Sequence, residues 1–167
     1  MELTDIQPLE EWEKFEKEIY ERSGIDAGIF NTDGIRITDY KEWVNRLCPV
    51  IKDNDKGQSF ICAVAHMNLA AIAKNTKDHV IEECDAGLAK IIVPIFVNDE
   101  FIGSVGACGL LLDDGEVDSF MINKTIGLEE EKIDDLSNDI KSISTENAKE
   151  LCTFIKKKLV EIISSYK

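Results

Sequence analysis

Residues 90–97, Lys-Ile-Ile-Val-Pro-Ile-Phe-Val, are apolar almost without a break. A strand with one solvated face alternates apolar and polar residues, so this run predicts a strand covered on both faces. Asn98-Asp99-Glu100 then closes a hairpin into Phe101–Leu112, a second apolar run punctuated by glycine. Upstream, Val80-Ile-Glu-Glu-Cys reads as a strand and Asp85-Ala-Gly87 as a turn. Pro94, in the middle of the apolar run, predicts a sheet edge or a bulge. The rest of the chain has to supply covers for this sheet.

Leu9, Trp12, Phe15 and Ile19 recur at helical spacing with Glu and Lys between them, which predicts an amphipathic helix ending near Gly24. Residues 26–39, Asp-Ala-Gly-Ile-Phe-Asn-Thr-Asp-Gly-Ile-Arg-Ile-Thr-Asp, read as two short strands around the Asp33-Gly34 turn. Tyr40–Lys52 reads as a helix carrying Trp43, Leu47 and Cys48, with a possible break at Pro49. Ser59–Lys74 is a helix apolar nearly all round, which predicts burial or a place against a cavity. Residues 113–139 hold ten Asp or Glu against two Lys, a net −8, and predict short helices with a turn at Gly127. In the last helix, Ala148, Leu151, Cys152, Ile155, Leu159, Ile162 and Tyr166 form one apolar stripe. The order α–β–β–α–α–β–β–β–α predicts an α+β fold, one antiparallel sheet with its helices gathered on one side. Residues 1–140 form the expected domain, and 141–167 a helix that packs on it or mediates dimerisation.

Charge narrows the function. The 167 residues carry 19 Lys and Arg against 33 Asp and Glu, a formal −14. That balance argues against unaided binding to nucleic acid or an anionic membrane, both of which need clustered cations. The acidic N-terminus shows no targeting segment and no apolar run reaches the ~20 residues of a membrane span, so a cytoplasmic protein is expected. Thiols stay reduced there, and five cysteines is an odd number for a disulfide framework.

The cysteines are the first chemical candidates. Cys48, Cys62, Cys84 and Cys108 lie at spacings of 14, 22 and 24 residues, with no Cys-x-x-Cys pair among them. Cys62 and His66 stand four apart and share one helix face. Such a pair can seed a metal or haem site if other thiols converge on it; the competing reading is that cysteines simply fill cores. Cys152, on the stripe of the last helix, reads as packing. Cys84 and Asp85, where a strand ends, line a pocket or merely form a turn. Glycine-rich phosphate loops, the nucleophile elbow and His-Glu-x-x-His are missing, and His66 and His79 are the only histidines. Catalysis is therefore not expected.

Cys84-Asp-Ala-Gly-Leu88, Ile92-Val-Pro-Ile95 and Phe101-Ile-Gly103 together resemble the PocR-type sensory domain family. Thr32-Asp33-Gly34, Cys48, Lys56-Gly57 and Cys62 extend the resemblance over roughly residues 5–140. The resemblance implies a PAS/GAF-like sensor fold with a small-molecule pocket between sheet and helices, its ligands small diols and other simple organic compounds. Asp85 stands where the family usually has histidine, so a role of that imidazole does not transfer. Cys48, Cys62 and Cys84 match family cysteine positions, and Cys108 joins them in this chain.

The expected protein is thus a stand-alone sensor in signal transduction, binding a small organic molecule through Phe60, Cys62, His66, Cys84, Asp85 and Cys108. Cys48, Cys62, Cys84, Cys108 and His66 are the candidate ligands of a metal centre: an iron–sulfur cluster, haem iron or zinc. A redox or cofactor-carrying protein, whose cysteines are themselves the function, is the alternative. Output passes through the terminal helices to a protein partner or a homodimer. The pocket is expected to be mostly uncharged.

Overall fold

The computed structural model describes residues 1–166. After a short turn of helix, α1 (Leu3–Ile6), comes α2 (Leu9–Ser23), which Gly24 ends in the left-handed conformation at φ 71°. Four strands form an antiparallel sheet: β1 (Asp26–Phe30), β2 (Val80–Glu83), β3 (Ala89–Val97) and β4 (Glu100–Cys108), in the spatial order β1-β4-β3-β2. Asn98 and Asp99, at φ 50° and 65°, make the tight turn between β3 and β4. Pro94 lies just past the end of β2's pairing, which stops at Ile92, and a bulge follows at Ile95/Phe96. Both outcomes foreseen for that proline occur together.

Alternation along the strands splits the sheet into two faces. Ala27, Ile29, Ile91, Val93, Ile95, Val105 and Ala107 share the main core with Trp12, Phe15 and Ile19 of α2. Ala148, Leu151, Cys152 and Ile155 of α8 (Thr145–Tyr166) join the same core. Each fully buried aliphatic or aromatic side chain there contributes ~1.5–3 kcal/mol. On the other face, Ile92 packs against Leu69 and Ala73 of α5 (Val64–Thr76). The fold is α+β, as the sequence implies, with helices on both faces of the sheet and not on one. The double burial of β3 requires this. Among the described residues, no helix is long and apolar enough to cross a membrane.

Between β1 and α5 the chain departs from its sequence pattern three times. Residues 35–38 form only an isolated bridge, Phe30 to Arg36, not the second strand of a hairpin. Asn31 N–H donates to Ile35 O and Ile37 N–H to Ile29 O, both at 2.9 Å. The Ile29 N–H, which a hairpin would direct to Ile37, donates instead to the fully buried Glu16 carboxylate at 2.8 Å. Thr38 Oγ1 donates to the same carboxylate at 2.6 Å, and Arg36 stands 3.6 Å away. Glu16 therefore takes over the ladder. The helix expected over 40–52 is confined to α3 (Leu47–Asp53), and residues 40–46 cross the sheet end as irregular chain.

The third departure is the shape of the next helix. Asn54 accepts from the N–H groups of Lys56 and Gly57 and caps α4 (Asp55–Gly57), which runs through a π-helical stretch, Gln58–Ala63, into α5. A Cβ on Gly57 would sit 2.1 Å from Ile51 O, so the glycine allows α3 and α4 to touch. The helix is not buried all round as its composition suggests. Phe60, Val64, Met67 and Ile72 face outward and are exposed. The acidic stretch forms α6 (Ser119–Ile126) and α7 (Glu130–Ser137), with Gly127 between them. Two-residue strands β5 (Leu111–Leu112) and β6 (Ser142–Ile143) pair in parallel and lead into α8.

Replacing Glu16 with Ala strands the Ile29 N–H and the Thr38 hydroxyl in the core. The expected loss is ~2–4 kcal/mol, read as a lower urea midpoint by circular dichroism. Glu16→Gln keeps one acceptor oxygen and is expected to lose less.

Candidate functional site

Three rows of side chains, two residues apart along the strands, form the α5-facing surface of β1, β4 and β3. The first row is Asp26, Cys108 and Lys90; the second is Gly28, Gly106 and Ile92; the third is Phe30, Ser104 and Pro94. The two adjacent glycines leave a trough. Phe30 folds its ring into it, so that a Cβ at either glycine would lie 2.9 Å from the ring. His66 of α5 stacks on Phe30 with centroids 3.9 Å apart. Between this stack and the first row lies a cavity of about 100 Å³, closed over by α3, the π-helical stretch and the Cys84–Leu88 turn.

Cys48, Cys62, Cys84, Cys108 and His66 all line that single cavity. Each thiol arrives on a different element. Asn45 fixes Cys48: its Oδ1 accepts from Cys48 N–H at 2.7 Å, while its Nδ2 donates to Gly109 O at 2.7 Å and lies 3.2 Å from Cys48 Sγ. Cys84 sits in a turn closed by Cys84 N–H to Leu88 O and Gly87 N–H to Cys84 O. A Cβ on Gly87, at φ 85°, would collide with Glu116 O at 2.3 Å. Burial pushes the Cys48, Cys62 and Cys84 thiols up, so they are protonated at neutral pH. Cys152 is apart from them, fully buried in the main core, with its thiol pushed up to about 12 by burial.

Two expected binding residues lie elsewhere. Phe60 is 60% exposed, because the π-helical stretch turns it to solvent while its neighbour Cys62 points in. Asp85 stands exposed at the tip of its turn, while Cys84, Ala86 and Leu88 of the same turn line the cavity. The cavity is also not uncharged. Lys41, Lys52 and Lys90 line it together with Asp26. Lys41 pairs with Asp26 at 3.0 Å. Among the described residues Lys52 and Lys90 have no ion-pair partner within 4 Å. Burial, reinforced by Lys41, lowers the pKa of Lys52. Lys90, 8% exposed, holds its ammonium 5.5 Å from the Phe30 ring centroid. The signal was in the sequence: Lys90 is the one charge inside the apolar run 88–97, and Lys52 follows Cys48 by one helical turn.

His66 is 3% exposed, and among the described residues neither of its ring nitrogens has a hydrogen-bond partner. Gln58 Oε1, on the same cavity wall, is also without one. Burial, followed by the charges of Lys90 and Lys52, lowers the imidazole pKa to about 3. The ring is neutral, with one donor and one acceptor left unused.

The unfolded chain takes up a proton at His66 near pH 6.5, and the folded chain does so only near 3. Stability contributed by the neutral ring is therefore lost as pH falls through that window, by up to about 1.4 kcal/mol per pH unit. His66→Phe keeps the stack and removes the titration. Urea unfolding of both proteins from pH 7 to pH 4 is expected to show a steeper acid loss in the unsubstituted chain. Glu16, whose pKa burial raises, works with the opposite sign but cancels in this difference.

The chain matches the family described as the sensory domain found in PocR, over residues 5–166. No curated protein and no solved structure matches it. With the match running from within α1 to the last turn of α8, the chain belongs to the PocR sensory-domain family.

Proposed function

We propose that this protein is a sensor whose input is an occupant of the cavity beneath α5, either a small organic molecule or a cysteine-held centre, and that it binds that occupant without transforming it. The observation that carries this is the unused polarity of the wall. His66 Nδ1, His66 Nε2 and Gln58 Oε1 are buried without partners among the described residues, and each such group costs about 1–3 kcal/mol unless something completes it. An occupant supplies the missing partners. Catalysis has little to work with, since Cys48, Cys62 and Cys84 are held protonated and the imidazole is no base near neutrality.

The fold offers a route from occupant to output. A π-helical turn spreads its backbone hydrogen bonds and recurs at functional sites. Here it carries Cys62 inward and Phe60 outward, so a shift at the cavity also moves the exposed stripe of Phe60, Val64 and Met67. On the opposite face, Ile91 and Val93 alternate with Lys90 and Ile92 and pack in the core that holds α8. A displacement of β3 thus reaches the terminal helix, from which a protein partner or a second copy reads it.

Thermal melting of protein purified without oxygen tests this, before and after a chelator and with small diols and small carboxylates added. At least one occupant is expected to raise Tm by roughly 5–10 °C at a hundredfold excess over its Kd. His66→Phe or Cys84→Ser is expected to abolish that rise. If chelation and every addition leave Tm unchanged, the cavity is not the input site.

A further inference from the structure

We propose that the cavity is the seat of a 4Fe–4S cluster ligated by Cys48, Cys62, Cys84 and Cys108. This rests on the cavity being the sensory input and names the occupant. Three observations separate a cluster from the other centres that thiols hold.

The first is spacing. Four thiols from four elements line one cavity. Yet among the described residues no three His, Cys, Asp or Glu side chains are grouped tightly enough to hold a single ion. A zinc ion with Zn–S bonds of ~2.3 Å draws its four sulfurs to within roughly 3.8 Å of one another. A cubane sets one thiolate on each of four separate irons and therefore spreads them around a volume. The thiols here surround a volume. That volume, about 100 Å³, is also far too small for a porphyrin.

The second observation is charge. A cluster core of charge +2 with four thiolates carries a net −2. Lys52 and Lys90, the two cavity ammoniums without carboxylate partners, supply +2, while Lys41 is already neutralised by Asp26. A neutral organic ligand would leave both ammoniums uncompensated in a largely buried site. In a chain of net −14, three lysines converging on four thiols is a local reversal of sign.

The third is a donor aimed at sulfur. Asn45 Nδ2 donates to Cys48 Sγ at 3.2 Å. Such a donor stabilises a thiolate ligand and tunes cluster potentials. Assembly balances as two ferrous ions, two ferric ions, four sulfides and four thiols. These give the ligated cluster and four protons released to solvent, with no net electron transfer.

The test is anaerobic purification followed by reconstitution with iron and sulfide, with iron and acid-labile sulfide counted per chain. About four of each are expected, with a broad visible absorbance that dithionite bleaches. Cys62→Ser and Cys84→Ser are expected to lose most of both, with circular dichroism checking that they fold. Cys152→Ser, in the main core, is expected to keep the full count. Lys52→Met and Lys90→Met are expected to keep the cluster and lower its reduction potential, since each removes a cation that favours the added electron. One equivalent of zinc in place of iron would overturn the proposal, as would a Cys62→Ser protein with undiminished cluster. Protein free of iron whose Tm still rises with a small organic compound would overturn the cluster while leaving the sensory cavity standing. Protein that responds to neither would end both.

Discussion

Gly28 and Gly106 face each other across β1 and β4, and the layout of the cavity depends on what they lack. With no Cβ at either position the Phe30 ring lies flat over the sheet, and His66 stacks on it from α5. That stack holds the helix off the first row, so Cys108 and Lys90 look into open space and not into a packed interface. A methyl group at either glycine would lie 2.9 Å from the ring and force it up into His66. The opposite face has no such trough: alternate residues of the same strands are Ala, Ile and Val, and α2 and α8 close directly on them. One sheet thus has a structural face and a working face, and β3 belongs to both.

Electrostatics follow the same division. The acidic excess lies mostly on the outside, with −8 of the −14 in residues 113–139. The cavity concentrates cations and thiols where water is scarce. Low local polarity keeps His66 neutral and Cys48, Cys62 and Cys84 protonated, and lowers the pKa of Lys52. These groups are costly to bury together without a counter-charge, which is why the wall reads as half of an interaction. Glu16, by contrast, is a buried carboxylate whose partners are all in place: Ile29 N–H, Thr38 and Arg36. The comparison of these two buried polar groups distinguishes a structural network from a receptive one.

Much of this was legible in the chain. The continuous apolar run at 90–97 demanded a doubly covered strand, and the Asn98-Asp99 turn demanded its hairpin. The stripe of the last helix was plain, and Cys152 belongs to it. The cysteine set could be nominated, because Cys62 and His66 share a helix face and Cys84 ends a strand. Phe60 could not be placed, since its direction depends on a π-helical turn that shifts the helix phase, which a regular period does not anticipate. Residues 35–38 looked like a strand by local pattern, but Glu16, some 20 residues earlier, takes the N–H that a strand would have used. Lys41, Lys52 and Lys90 were ordinary lysines until three separate elements brought them to one wall.

Sequence by itself determined most of the strands and helices, outside residues 35–46, which strand is buried on both faces, and which residues have ligand chemistry. Those properties follow from local periodicity, turn residues and side-chain type, all of which act over a few residues. Tertiary structure alone decided that four thiols spaced 14, 22 and 24 residues apart meet around one cavity, with two unpaired ammoniums beside them. The convergence arises from register across β1, β4 and β3 and from the height at which the Phe30–His66 stack holds α5. Both depend on contacts between residues far apart in the chain, and no local pattern records them.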